Sequence, residues 1–162
     1  MNKIISEPKQ ILIWRNDLRS FSGHKVRTGK IVAQLAHASL SALLNLGNIH
    51  REYSDIDEHL TNIYLDIPLF SKNFVYNGQP DVDHQALTEW IEGRFTKVCV
   101  YVNSEQELLD IIQKAENAGL INSLITDAGL TEFNNVPTIT CGCVGPAYPE
   151  QLQDITGHLP LL

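Results

Sequence analysis

Residues 10–14 (QILIW) and 97–102 (KVCVYV) constrain this chain most. Each is a short run, apolar after its first residue (Gln10 and Lys97), and reads as a buried strand. Such strands need a sheet covered by helices. The intervening patterns supply them. A long helical stretch is predicted over residues 28–46, stopping near Gly47-Asn48, and a short one over 84–92. Ser104 is a good N-cap with Glu107 at the capping-box position, opening a third helix that ends near Gly119. Strands are expected at 120–126 and 138–144, an antiparallel pair, and a last helix at 149–156. This order predicts an α/β fold: a single three-layer domain, residues 1–162, with a mixed four-stranded sheet flanked by helices. Residues 50–93 differ in character, with many acids, Pro68, Pro80 and the turn Asn77-Gly78. They are expected to form an insertion after the first helix, packed on the domain without joining its sheet.

At 162 residues the chain has room for one real core. No apolar run is long enough to span a membrane, and residues 1–10 lack the stretch of a secretory signal. Three cysteines, an odd number, suit a reducing compartment, so a cytoplasmic protein is expected. Cys141 and Cys143 alternate along a strand and point to one face, with no further metal ligands nearby in sequence. The net charge of −7 is unevenly spread: residues 1–51 hold eight basic residues against two acids, +6, and the remainder is −13. Screening confines each field to about 10 Å, so a basic surface can attract phosphates on an acidic molecule.

The first helix is small and apolar except for Lys30, Gln34, His37 and Ser41, whose spacings put them on one face. So narrow a polar stripe must face water, a cleft or an internal network, because stranded buried donors cost roughly 1–3 kcal/mol. Lys30 stands in the first turn, where a cation opposes the helix dipole, so it is there for another reason. A lysine beside an open helix start, preceded by Gly29, suits a phosphate or oxyanion. P-loop, dinucleotide and GxSxG patterns are all missing from the sequence. A second candidate is Asp127-Ala128-Gly129-Leu130-Thr131, which places a carboxylate and a hydroxyl on one short loop between strands. Asp and Gly are also ordinary turn residues, so loop closure alone is the competing account.

Gly29-Lys30-Ile31-Val32-Ala33-Gln34-Leu35-Ala36-His37-Ala38 resembles the GKIAAQxxHA segment of the archaeal/eukaryotic-type peptidyl-tRNA hydrolases. Asp127 to Glu132 resembles that family's DAGxT motif. Arg15-Asn16-Asp17-Leu18, Val144-Gly145-Pro146 and Thr156-Gly157-His158-Leu159 are weaker matches in the expected order. The resemblance covers residues 10–48 and 95–162, leaving 50–93 outside the minimal pattern. It implies a homodimer that hydrolyses the ester between a peptide and the 3′ ribose of tRNA, without cofactor or metal. Carried over by motif position, catalytic groups fall on Lys30, Asp127 and Thr131. A strand threonine, Thr138 or Thr140, completes the set, with Thr140 preferred by its distance from Gly145. Asp127 is expected to orient or activate water, and Lys30 to hold the oxyanion or terminal phosphates, with the two groups close together. Arg15, Arg19, Lys25, Arg27, Gln34 and His37 are the expected substrate-binding residues. Two rival readings are a non-catalytic tRNA- or RNA-binding relative, and an interaction domain using residues 50–93 as its partner surface.

Overall fold

The alternation inside one strand explains how the layers assemble. In β1 (Lys9–Arg15), Leu12 and Trp14 point to one side of the sheet, and Ile11 and Ile13 to the other. All four are buried, so both faces must be covered. A computed structural model describes residues 6–53, 60–66 and 84–162 of the chain. On the Leu12 and Trp14 side lie α1 (Thr28–Leu44), through Leu35, Ala38 and Ala42, and Leu87 and Trp90 of α2 (His84–Glu92). The other side meets α3 (Glu105–Asn117) and α4 (Pro149–Thr156). Leu108, Ile111, Ile112 and Ala115 of α3 form one buried stripe at helical spacing. Each large aliphatic side chain so buried contributes roughly 1.5–3 kcal/mol.

The sheet also holds β4 (Lys97–Val102), β5 (Asn122–Asp127) and β6 (Thr138–Ala147), in the order β4-β1-β6-β5. β1 runs parallel to β4 and antiparallel to β6, and β5 is antiparallel to β6, making the sheet mixed as expected. Where α3 crosses β6, Gly142 leaves the space: a Cβ there would lie 2.8 Å from the Ser123 carbonyl oxygen and 2.9 Å from Ile112 Cδ1. The outer edge of β4 is partly occupied by the chain's last residues. Tyr101 N–H donates to Pro160 O and Leu162 N–H to Cys99 O, both at 3.1 Å, which blunts an exposed edge.

One feature was not anticipated. Immediately after α1, β2 (Asn48–Tyr53) and β3 (Leu60–Asp66) pair antiparallel as a separate two-stranded sheet. NIHREY intersperses charge with apolar residues and carries no clean strand alternation, so its pairing is set by its partner strand. Helix α2 occupies the predicted residues, whereas Pro68, Pro80 and Asn77-Gly78 fall outside the described ones. Ser104 caps α3 by accepting from Glu107 N–H at 3.1 Å; Glu107 reaches back to Asn103 N–H, one residue earlier than the standard box.

Candidate active site

Helix α1 lies across β5 and β6 through polar contacts as well as apolar ones. Gln10 and Ser39 bond side chain to side chain at 2.6 Å, Ser123 donates to Ala38 O at 2.7 Å, and the Cys141 thiol donates to Gln34 O at 3.2 Å. These bonds satisfy buried groups and set where α1 sits along its own axis. Its first turn is thereby held over the C-terminal end of β5.

There Lys30 and Asp127, 97 positions apart in sequence, meet at 2.7 Å between Nζ and Oδ1. Their side chains are 16% and 13% exposed, so each charge depends on the other for much of its solvation. The position of Lys30 now has a cause. A carboxylate sits at the positive end of α1, where the dipole favours it, and the lysine reaches over to the same oxygen. A Cβ on Gly29 would meet nothing within 4 Å, so the helix start stays open to a ligand. Asp127 is fixed from its own loop too, since Gly129 N–H donates to Oδ2 at 3.2 Å. Gly129 has φ +81°, and a Cβ there would collide with the Val136 backbone.

One turn along α1, Gln34 is buried. Its Nε2 approaches Asp127 Oδ1 at 3.4 Å, and its Oε1 accepts a 2.6 Å bond from the fully buried Thr140 hydroxyl. A continuous chain thus runs Lys30–Asp127–Gln34–Thr140, tying α1, β5 and β6. Thr138 lies apart from it and donates to Val136 O at 2.8 Å. Thr131 is exposed on the turn beyond Asp127, with no side-chain hydrogen bond among the described residues. His37 is exposed further along α1, away from the pair.

The basic residues divide. Arg15 is nearly buried, donating to Asp17 at 2.7 Å, to Glu105 at 2.6 Å and to Ile139 O at 2.9 Å. Burial pulls its guanidinium pKa down, but hydrogen bonds and charge from Asp17 and Glu105 outweigh that and leave it above its ordinary value. Its charge is already matched inside the protein. Arg19 and Lys25 are exposed on the loop of residues 16–27, and Arg27 occupies the N-cap position of α1. Arg27 pairs with Glu132, an almost completely buried carboxylate to which the sequence alone assigns no role. Its signal in the sequence is position: it directly follows Thr131 on the loop that opens with Asp127.

Chemically, the pair offers a carboxylate that can orient and deprotonate water, and an ammonium that can meet developing negative charge. The thiols do not suit nucleophilic attack. Burial pushes Cys141 up to about 12 and Cys143 higher still, so both remain protonated at neutral pH.

A family model described as Peptidyl-tRNA hydrolase PTH2 matches residues 8–162. Similar curated proteins include the peptidyl-tRNA hydrolase of Methanocaldococcus jannaschii, 34% identical over 154 residues, covering 95% of this chain and 99% of the relative. That of Saccharolobus solfataricus is 33% identical over 155 residues, covering 95% and 98%. The Methanopyrus kandleri protein is 31% identical over 154 residues, covering 95% and 97%. The match takes in α1, the whole four-stranded sheet and the loop after β5, and this chain belongs to the PTH2 family of peptidyl-tRNA hydrolases.

Proposed function

We propose that Lys30 and Asp127 carry the chemistry of this enzyme, with Gln34 and Thr140 positioning them. The chain is an ester hydrolase acting on peptidyl-tRNA, which releases tRNA for reuse. The observation that carries the site assignment is the 2.7 Å contact between Lys30 and Asp127 beside an open helix start. Each carboxylate oxygen has two lone-pair directions, so Asp127 keeps acceptor capacity for a water after meeting Lys30, Gln34 and Gly129. That water attacks the ester carbonyl and gives its proton to Asp127. Lys30 stabilises the tetrahedral oxyanion, and the proton then passes to the departing 3′ oxygen. Thr140 is fully buried and acts through Gln34, holding the amide so that its N–H₂ faces the carboxylate. The exposed Thr131 hydroxyl lies on the substrate side and supplies a further contact.

Exposed Arg19, Lys25 and Arg27 bind tRNA phosphates, with His37 further along α1, while Arg15 serves the fold around that loop. We also propose that two copies associate through the outer face of α1. Val32, Leu40 and Phe95 are exposed there around an apolar depression of about 410 Å³ that Leu35 and Leu43 also line. No described helix is long and apolar enough to cross a membrane, and a cytoplasmic enzyme built as one domain with an insertion at 50–93 fits a substrate made by ribosomes.

The test is steady-state hydrolysis of N-acetylated aminoacyl-tRNA. Wild type turns over repeatedly, and Lys30→Ala loses about 100-fold or more in kcat while still folding, with a lowered melting temperature because Asp127 is left as half of a mostly buried pair. Tight tRNA binding by wild type without turnover points instead to a non-catalytic relative and removes the proposal.

A further inference from the structure

The loop between β1 and α1 carries more structure than a connection needs. Residues 19 and 25 form an isolated antiparallel bridge. Ser20 N–H donates to His24 O and Gly23 N–H to Ser20 O, both at 2.8 Å, and Gly23 takes φ +83°. The Ser20, Ser22 and His24 side chains are bonded in series at 2.9 and 3.0 Å. The result is a tight hairpin, and it is fastened to the loop after β5. Phe21 N–H donates to Glu132 O at 2.8 Å, while the buried Glu132 carboxylate binds Arg27 at the other end of the hairpin. At its tip, Phe21 is 73% exposed.

A single exposed apolar side chain means little by itself. This ring, however, is held on a backbone anchored beside the proposed site, and it borders a depression of about 310 Å³. Phe21, His24, Lys25 and Arg27 form one wall of that depression, and Thr131 and Glu132 the other. An exposed aromatic ring on an anchored backbone, among cations, is the platform on which unpaired nucleotides stack, because every base offers a π-face and each nucleotide carries a phosphate. A folded duplex does not fit so small a depression, whereas one unstacked base does.

We propose that Phe21 stacks an unpaired base of the single-stranded 3′ end of the tRNA substrate, with Lys25 and Arg27 on the adjoining phosphate. Glu132 is the positioning residue that holds the hairpin against Thr131. This rests on the reading of Lys30 and Asp127 as the ester-cleaving pair, since it delivers the esterified ribose toward them. It also gives the depression a specific occupant, where the basic residues alone would bind any phosphate backbone.

The experiment compares wild type, Phe21→Ala and Phe21→Trp on N-acetylated aminoacyl-tRNA, with abasic replacements made singly at the last three nucleotides. Phe21→Ala is expected to raise KM about tenfold, with kcat within twofold and an unchanged melting temperature, and Phe21→Trp to restore wild-type KM. One abasic position should raise the wild-type KM about tenfold yet leave that of Phe21→Ala unchanged. If wild type hydrolyses the substrate but Phe21→Ala keeps its KM within twofold, or no abasic position shows this non-additivity, the stacking role is wrong. If wild type does not hydrolyse it at all, the esterase reading itself falls.

Discussion

At the scale of single residues, the site depends on how Gln34 is held. The amide faces Asp127 with one end and Thr140 with the other, and a buried amide left without a partner costs roughly 1–3 kcal/mol. Thr140→Val keeps the shape and removes the donor. Its expected effect is a fall in kcat of about tenfold or more at nearly constant KM, with thermal stability lowered, whereas Thr140→Ser retains activity. Kinetics with a melting curve separates the two effects. The thiols give an independent check. Cys141 and Cys143 are buried and protonated, and Cys99 is exposed. Native protein should therefore leave Cys141 and Cys143 unalkylated at full activity, whereas all three thiols react after denaturation. Because burial raises the folded thiol pKa above the unfolded value, this contribution to stability is complete below about pH 9 and declines as pH climbs toward 12, by roughly 1 kcal/mol per pH unit per thiol.

At the scale of elements, the loop after β5 is the sensitive one. Gly129 combines a left-handed φ with contact against Val136, and its N–H holds Asp127. Gly129→Ala should lower stability by more than the roughly 1 kcal/mol of the φ penalty alone, with activity falling further than stability explains. Thermal unfolding and kcat measured on one preparation check this. The main elements were legible in the sequence because their patterns are strong: QILIW as a buried strand and the α3 stripe with Ser104 at its start. KVCVYV was legible as a strand but not as an edge one: β4 ends the sheet, and only Val100 and Val102 of it are buried, because one side has no neighbouring strand to cover it. The β2–β3 hairpin was not, because His50, Arg51 and Glu52 mask the alternation and its pairing is a property of two strands together. The polar stripe on α1 was legible as a face. That Gln34 is buried while His37 is exposed was not, since this depends on where α1 rests on β5 and β6. Likewise Arg15 resembled its basic neighbours in sequence, and only Asp17 and Glu105 closing on it in space set it apart.

At the scale of the whole molecule, a protein of net charge −7 is proposed to meet its polyanionic substrate through the exposed cations of one loop. The exposed cations of the 16–27 loop precede the helix that carries Lys30, so the proposed binding residues and the proposed catalytic pair belong to one loop–helix unit. Affinity for tRNA should fall linearly on a log–log plot against salt. Lys25→Ala should reduce that slope by about one without altering the rate at saturation. A dimer formed through α1 should be split by Leu40→Glu, as sedimentation would report, leaving the catalytic pair intact.

The central claim is that Asp127 acts in the chemical step. It is tested most directly by single-turnover hydrolysis of N-acetylated aminoacyl-tRNA by Asp127→Asn, with enzyme in excess and tRNA affinity measured in parallel. Asn keeps the size of the side chain and one acceptor, for Lys30 at the Oδ1 position, gives up the one that Gly129 N–H uses at Oδ2, and cannot take the proton of water. The account predicts a rate at least 100-fold below wild type with affinity within about threefold. A rate within threefold of wild type would contradict it.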